Sequence, residues 1–153
     1  MRIAFRINGV EREVDAPPMQ RALDLLRETL RLTGAKEGCG EGECGACSIL
    51  LDGEVVNSCL VPACQLQNAS VITIEGLAGA GRLDSLQQAF LETGGAQCGI
   101  CTPGMLIAAR ALLASKPRPS RDEIKEAIAG NLCRCTGYVK IIDAIEAATI
   151  RKG

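Results

Sequence analysis

The segment Gly38-Cys39-Gly40-Glu41-Gly42-Glu43-Cys44-Gly45-Ala46-Cys47 sets three cysteines at C-x4-C-x2-C spacing, and Cys59 follows after eleven intervening residues. Four thiolates use this spacing around a two-iron, two-sulfur cluster. Such a site needs converging sulfurs and closely approaching backbone amides, because amide-to-sulfur hydrogen bonds help set the reduction potential. Gly38, Gly40, Gly42 and Gly45 allow the loop to wrap that tightly, since glycine tolerates left-handed conformations. A zinc site with four cysteine ligands is the plainer alternative. Three closely spaced cysteines plus one distant cysteine fit the cluster better than paired zinc knuckles do.

On either side of this loop the pattern is that of a small α+β domain. Ile3–Ile7 and Val10–Val14 alternate around Asn8-Gly9, a strong hairpin signal. After Pro17-Pro18, the spacing predicts a helix over Met19–Thr33, with Leu23, Leu26 and Leu30 on one face and Gly34 as its stop. Ser48–Leu51, an Asp52-Gly53 turn, Val55–Cys59 and Val71–Ile74 read as further strands. The expected architecture is a sheet with the helix on one face.

Towards the other end the periodicity becomes helical. Ser85–Thr93 precedes Gly94-Gly95, and Pro103–Ser115 follows with Thr102 expected as its cap. Ser120-Arg121-Asp122-Glu123 forms a capping box that opens a helix to Ala129. A last helix is expected over Gly137–Thr149, with Thr136 as its cap. Four helices with short connections imply a bundle. Within it Gln97-Cys98-Gly99-Ile100-Cys101-Thr102 is echoed by Asn131-Leu132-Cys133-Arg134-Cys135-Thr136, the two Cys-Thr pairs lying 34 residues apart. This approximate two-fold repeat brings four thiols to the starts of two helices. Free amides and the positive dipole end there favour an anionic thiolate-ligated group. Zinc is again the alternative.

Composition narrows the chemistry. Among 153 residues there are nine cysteines, no histidine, no tryptophan and three aromatic residues, Phe5, Phe90 and Tyr138. Without histidine the chain cannot supply a Ser-His-Asp or Cys-His pair. A net charge of −1 and so few rings argue against nucleic-acid binding. The first ten residues hold no apolar run suited to a secretory signal. The uncharged windows Val55–Ile74 and Gly94–Ala109 are too polar or too short to span a bilayer, so no membrane insertion is expected. A cytoplasmic location follows as the expectation, and in a reducing compartment so many cysteines argue for metal over disulfides. Residues 1–76 carry 7 basic and 11 acidic side chains, and residues 77–153 carry 10 and 7. The division falls in a glycine-rich stretch, so the expected organisation is a first domain over 1–76, a linker over 77–82 and a second domain over 83–153.

Taken together, CGEGECGAC, QCGICTPGM and GNLCRCTGY resemble the small iron–sulfur subunit of the molybdenum hydroxylases, the xanthine oxidase, carbon monoxide dehydrogenase and 4-hydroxybenzoyl-CoA reductase-like group. The resemblance covers essentially the whole chain. It implies a plant-ferredoxin-like β-grasp domain followed by an all-α four-helix bundle, with one 2Fe-2S cluster on Cys39, Cys44, Cys47 and Cys59 and another on Cys98, Cys101, Cys133 and Cys135. It further implies an oxidoreductase subunit that performs no substrate chemistry itself. Electrons would pass from a molybdopterin centre in a large subunit, through the second cluster and then the first, to FAD in a medium subunit. The complex would be a dimer of such heterotrimers, with flavin and molybdenum domains on separate polypeptides. Gln97 matches the family glutamine that hydrogen-bonds the pterin, and Cys135 the cysteine nearest to it. An autonomous ferredoxin-type carrier and a zinc-stabilised interaction module are the competing readings. The uncharged Gly94–Ala109 window suits a permanent subunit contact.

Further residues are read without a reactive role. Cys64 is expected as a buried small hydrophobe, Tyr138 as a core-packing residue, and Glu41 and Glu43 as solvated loop carboxylates. Arg134, between two ligand candidates, either offsets cluster charge, contacts a partner or is simply exposed.

Overall fold

In a computed structural model, residues 1–79 and 81–151 are described. Ala80 of the expected linker, and Lys152 and Gly153 of the expected second domain, lie outside the described residues. The chain begins with the hairpin β1 (Arg2–Ile7) and β2 (Val10–Asp15). Asn8 and Gly9 both take positive φ, 49° and 82°, the mirror-image turn that matches strand twist. β3 (Ser48–Leu51) and β4 (Glu54–Asn57) form a second hairpin, and β5 (Ser70–Ile72) completes a five-stranded sheet of order β2-β1-β5-β3-β4. β5 is parallel to β1 and antiparallel to β3, so the sheet is mixed.

The expected helix over Met19–Thr33 is much shorter. α1 spans Ala22–Asp24 and widens into a π-helical stretch over Leu25–Thr29, closed by the Leu30 amide donating to the Leu25 carbonyl. The physical reason lies in what is buried. Leu23, Leu25 and Leu26 are all fully buried, whereas Leu30, which a regular helix would place inward, is only half-buried. The wider turn gives adjacent leucines access to the same core, and the left-handed Arg31 (φ 59°) ends the element before Gly34 is reached. The expected strand Val71–Ile74 also stops early, because Asn8 captures Thr73 by two side-chain hydrogen bonds of 2.9 Å and the chain turns at Ile74–Gly76.

α2 (Ser85–Thr93), α3 (Thr102–Ser115), α4 (Arg121–Ala127) and α5 (Val139–Arg151) form the helical part. Capping boxes open α2 (Asp84 with Gln87) and α4 (Ser120 with Glu123), and left-handed Gly94 closes α2. Their core is Leu86, Phe90, Met105, Ile107, Ile124, Ile141 and Ile145, with alanines between them that let the helices approach.

β3 serves both cores. Ile49 is buried with Ile3, Phe5 and Leu26 on one sheet face, while its neighbour Leu50 is buried with α3 residues on the other. The two-residue period of a strand thus divides one short segment between two hydrophobic clusters.

Candidate metal centres

The loop over 38–47 bends at three left-handed glycines, Gly40, Gly42 and Gly45. The bends turn backbone amides inward. Glu41, Glu43 and Cys44 donate to Cys39 Sγ at 3.4, 3.2 and 3.4 Å, and Cys39 and Ala46 donate to Cys44 Sγ at 3.4 and 3.5 Å. A Cβ on Gly38 would stand 2.7 Å from Cys44 Sγ, so the loop leaves no room for a side chain there. The amides from Glu41, Cys44 and Glu43 hold the exposed Cys39 thiol down at about 7. Cys47 and Cys59, at the ends of the β3–β4 hairpin, are buried and in contact. Burial first, and the neighbouring Cys47 second, push the Cys59 thiol up to about 11. Arg21 bridges Asp24 and Glu37 at 2.7 and 2.8 Å, anchoring the start of α1 to the chain that enters the loop.

The second set lies between α2 and α3 and between α4 and α5. Cys101 is buried in the N-cap position of α3, Cys133 is half-buried, and Cys98 and Cys135 are exposed. Cys101 contacts Cys133, and Cys98 contacts Cys135. Burial pushes the Cys101 thiol up to about 12. Burial opposes ionisation of Cys133, but the hydroxyl and amide of Thr136, together with the Cys101 thiol and the Cys135 amide, lower that thiol on balance. Contact with Cys98 raises Cys135. The four cysteines line an open depression of about 450 Å³ rimmed by Ile100, Leu132 and Tyr138.

Among the described residues no three His, Cys, Asp or Glu side chains close around a single point as one ion would require. The thiols meet in twos instead, which suits a binuclear group bridged by its own sulfide. The surrounding donors fit such an anionic sulfur-rich group. Amides point at the first set, and at the second the buried Thr102 hydroxyl lies against the Cys101 sulfur and meets no other partner among the described residues.

The two sets are physically joined. Leu132 N–H donates to the Cys44 carbonyl at 2.9 Å, and the buried Asn131 amide donates to the Gly45 carbonyl at 3.1 Å and reaches Ser48 Oγ at 3.4 Å. Gly104 of α3 sits so close that a Cβ there would collide with the Gly45 carbonyl oxygen.

Two family matches coincide with these regions: residues 5–78 match the 2Fe-2S iron-sulfur cluster binding domain and residues 73–146 the [2Fe-2S] binding domain. The chain is 50% identical over 149 residues to the nicotinate dehydrogenase small FeS subunit of Eubacterium barkeri, covering 97% of this chain and 95% of the relative. It is 46% identical over 143 residues to the nicotine 6-hydroxylase small subunit of Paenarthrobacter nicotinovorans, covering 94% and 86%. The chain belongs to the small iron–sulfur subunits of the molybdenum hydroxylase family. The structure of quinoline 2-oxidoreductase from Pseudomonas putida 86 matches the fold with a TM-score of 0.96 at 48% identity, covering 100% of this chain and 97% of that one. The subunit is therefore an oxidoreductase component with the ferredoxin-like sheet and helical bundle that the motifs implied.

Against the sequence expectations, each group of four cysteines is brought to one region, and Gln97 stands exposed beside Cys98. Glu41, Glu43 and Arg134 are exposed. Two expected caps are different in fact. Thr102 is the first residue of α3 and makes no cap bond. Thr136 precedes α5 by three residues and donates its hydroxyl to Cys133 Sγ at 3.1 Å. Cys64, in a single turn over Ala63–Leu66, is half-buried and not fully enclosed. Tyr138 packs against the helical core, but its hydroxyl also accepts the Cys133 amide at 2.9 Å. Asn131 and Gly104 carry no sequence signal of their role, because nothing local to them announces a partner 86 residues away in the chain, as Gly45 is from Asn131.

Proposed function

We propose that Cys39, Cys44, Cys47 and Cys59 hold one 2Fe-2S cluster, that Cys98, Cys101, Cys133 and Cys135 hold the other, and that the subunit relays electrons between them. Each cluster, when bound, supplies reversible one-electron transfer. The chain's part is to hold both sulfur sets rigidly, to direct donors at them and to keep them adjacent. The carrying observation is the joint. From Cys133 the backbone runs one residue to Leu132, whose N–H meets the carbonyl of Cys44, so a single hydrogen bond links a ligand of one set to a ligand of the other. Asn131, Ser48 and Gly104 clamp that contact.

Direction follows from exposure and resemblance. The exposed Gln97 and Cys135 face outward beside the second set, where a molybdopterin held by a large subunit would be contacted. The exposed Cys39 leaves the first set accessible towards an FAD-bearing medium subunit. The relatives named as small subunits of a dehydrogenase and a hydroxylase support assembly with larger subunits, and a dimer of heterotrimers is the arrangement that the resemblance implies. Residues 1–76 and 83–153 would act as the two cluster-holding domains, with 77–82 between them. No helix among the described residues is long and apolar enough to cross a membrane, and a reducing cytoplasm would keep the thiols available for iron.

The test is spectroscopic. The purified chain is expected to hold iron and acid-labile sulfide at about four each, as two such clusters require, and to give two distinct paramagnetic signals on reduction. Cys44→Ala should abolish one signal and Cys101→Ala the other. In the complex, only the signal lost in Cys101→Ala should be coupled magnetically to molybdenum. Zinc in a colourless protein would overturn the cluster reading, and coupling of the Cys44 signal alone would reverse the order.

A further inference from the structure

The second thiol set differs from the first in the kind of donor that reaches its sulfurs. Thr136 donates both its hydroxyl (3.1 Å) and its amide (3.5 Å) to Cys133 Sγ. Its hydroxyl is held in place because it also accepts the Tyr138 amide at 3.1 Å. Tyr138 in turn directs its own hydroxyl back to the Cys133 amide at 2.9 Å. To close this ring Tyr138 adopts φ 72°, directly after Gly137 at φ 65°. A bulky residue is rarely found there, and such an outlier persists only when its surroundings impose it. The equivalent threonine of the other half, Thr102, stands 34 residues earlier at the same place after a cysteine. Its hydroxyl is buried and lies beside the Cys101 sulfur, whose thiol it lowers against burial, and it meets no other partner among the described residues; Cys101 in turn contacts Cys133.

We propose that the hydroxyls of Thr102 and Thr136 are paired donors to the sulfurs of the second cluster, one from each half of the repeat, and that they raise its reduction potential. Tyr138 is the positioning residue that fixes Thr136. A donor on a ligand sulfur stabilises the more negative, reduced form over the oxidised one, so removing it makes the cluster harder to reduce. A thiolate at Cys101 is a stronger acceptor than the neutral thiol, so the buried hydroxyl of Thr102 is better satisfied once the cluster is bound. The proposal rests on the assignment of Cys98, Cys101, Cys133 and Cys135 as cluster ligands.

The experiment is a redox titration of the full chain loaded with both clusters, followed by the two paramagnetic signals. The wild-type chain must first give two signals, and their absence would count against the ligand assignment and not against the threonines. Thr136→Val is expected to lower the potential of the second cluster by about a tenfold change in its reduction equilibrium, ~59 mV for a one-electron couple, with the first cluster unmoved. Thr136→Ser, which keeps the hydroxyl, should restore it. Thr102→Val should shift the same signal in the same direction. Hyperfine spectra after exchange into heavy water should lose an exchangeable proton coupling in each valine variant. If Thr136→Val does not retain both clusters, Thr102→Val and its proton coupling decide the matter. Unmoved potentials, equal shifts of both clusters, or serine and valine behaving alike would overturn the proposal.

Discussion

The two thiol sets solve one problem with different parts of the chain. In the loop over 38–47 the sulfurs of Cys39 and Cys44 receive five backbone amides, arranged by glycines whose positive φ no ordinary residue takes easily. In the turn that leads into α5, Cys133 receives a side-chain hydroxyl as well as an amide, and the arrangement is held by the ring of Thr136 and Tyr138. The loop bends its backbone around two sulfurs, with a left-handed glycine at each bend. In the short turn between Cys133 and α5 the amide of Thr136 reaches the sulfur at 3.5 Å, and the hydroxyl of the same residue adds a closer donor at 3.1 Å. The difference teaches that the first site is specified by conformation and the second by side-chain chemistry. Glycine substitutions should therefore damage the first, and threonine substitutions should tune the second.

Three measurements would break or sharpen that contrast. The largest effect is expected at the joint, which belongs to both sites. Gly104→Ala places a methyl group against the Gly45 carbonyl oxygen and close to the Asn131 amide, both of which have little room to yield. Overpacking of this kind costs about 3 kcal/mol, and denaturant melting should register it together with slowed transfer between the clusters. A variant as stable as the wild type would mean that the loop and α3 are not rigidly packed.

Next comes Asn131→Ala. It removes two hydrogen bonds to Gly45 and Ser48 in a buried setting, although Ser48 Oγ still donates to the Gly45 carbonyl at 2.7 Å. A loss of ~1–2 kcal/mol is expected, with both cluster signals intact. Loss of the first cluster alone would show that the loop depends on the bundle for its shape, and the contrast between self-formed loop and side-chain-built helix site would fail.

The smallest effect concerns acidity in the metal-free chain and leaves stability nearly unchanged. Cys39 is held at about 7 by its amide donors, so its thiolate is present above that pH and is lost as pH falls through it. Iodoacetamide labelling followed by mass spectrometry should give a half-point near pH 7 for Cys39. Cys101, pushed up to about 12 by burial, should stay unlabelled through neutral pH. A common half-point for both cysteines would mean that the amides around Cys39 do not keep their positions without metal.

Much of this is legible from residue order. The Asn8-Gly9 hairpin, the Ser120–Glu123 capping box and the spacing of eight cysteines are local patterns, and local sterics or chelate geometry decide them. The helix over Met19–Thr33 falls short of its pattern because a 3.6-residue period is only one way to bury leucines. The core accepts Leu25 beside Leu26, and a π-turn follows. The threonines depart from their expected capping role for a similar reason. A Ser or Thr before a helix serves the backbone by default, and only the presence of a sulfur 3.1 Å away redirects the hydroxyl of Thr136.

By itself the sequence determined which residues could meet iron, that a sheet and then helices would carry them, and the family to which the chain belongs. Those properties reside in short spacings and periodicities, where the energy is settled among near neighbours. Only the tertiary structure decided that Leu132 donates to Cys44, that Asn131 and Gly104 lock onto Gly45, and that β3 lends Ile49 to one core and Leu50 to the other. These contacts join residues far apart in the chain. They depend on both hydrophobic clusters packing against the same strand, and a contact of that kind leaves no periodic trace in the order of residues.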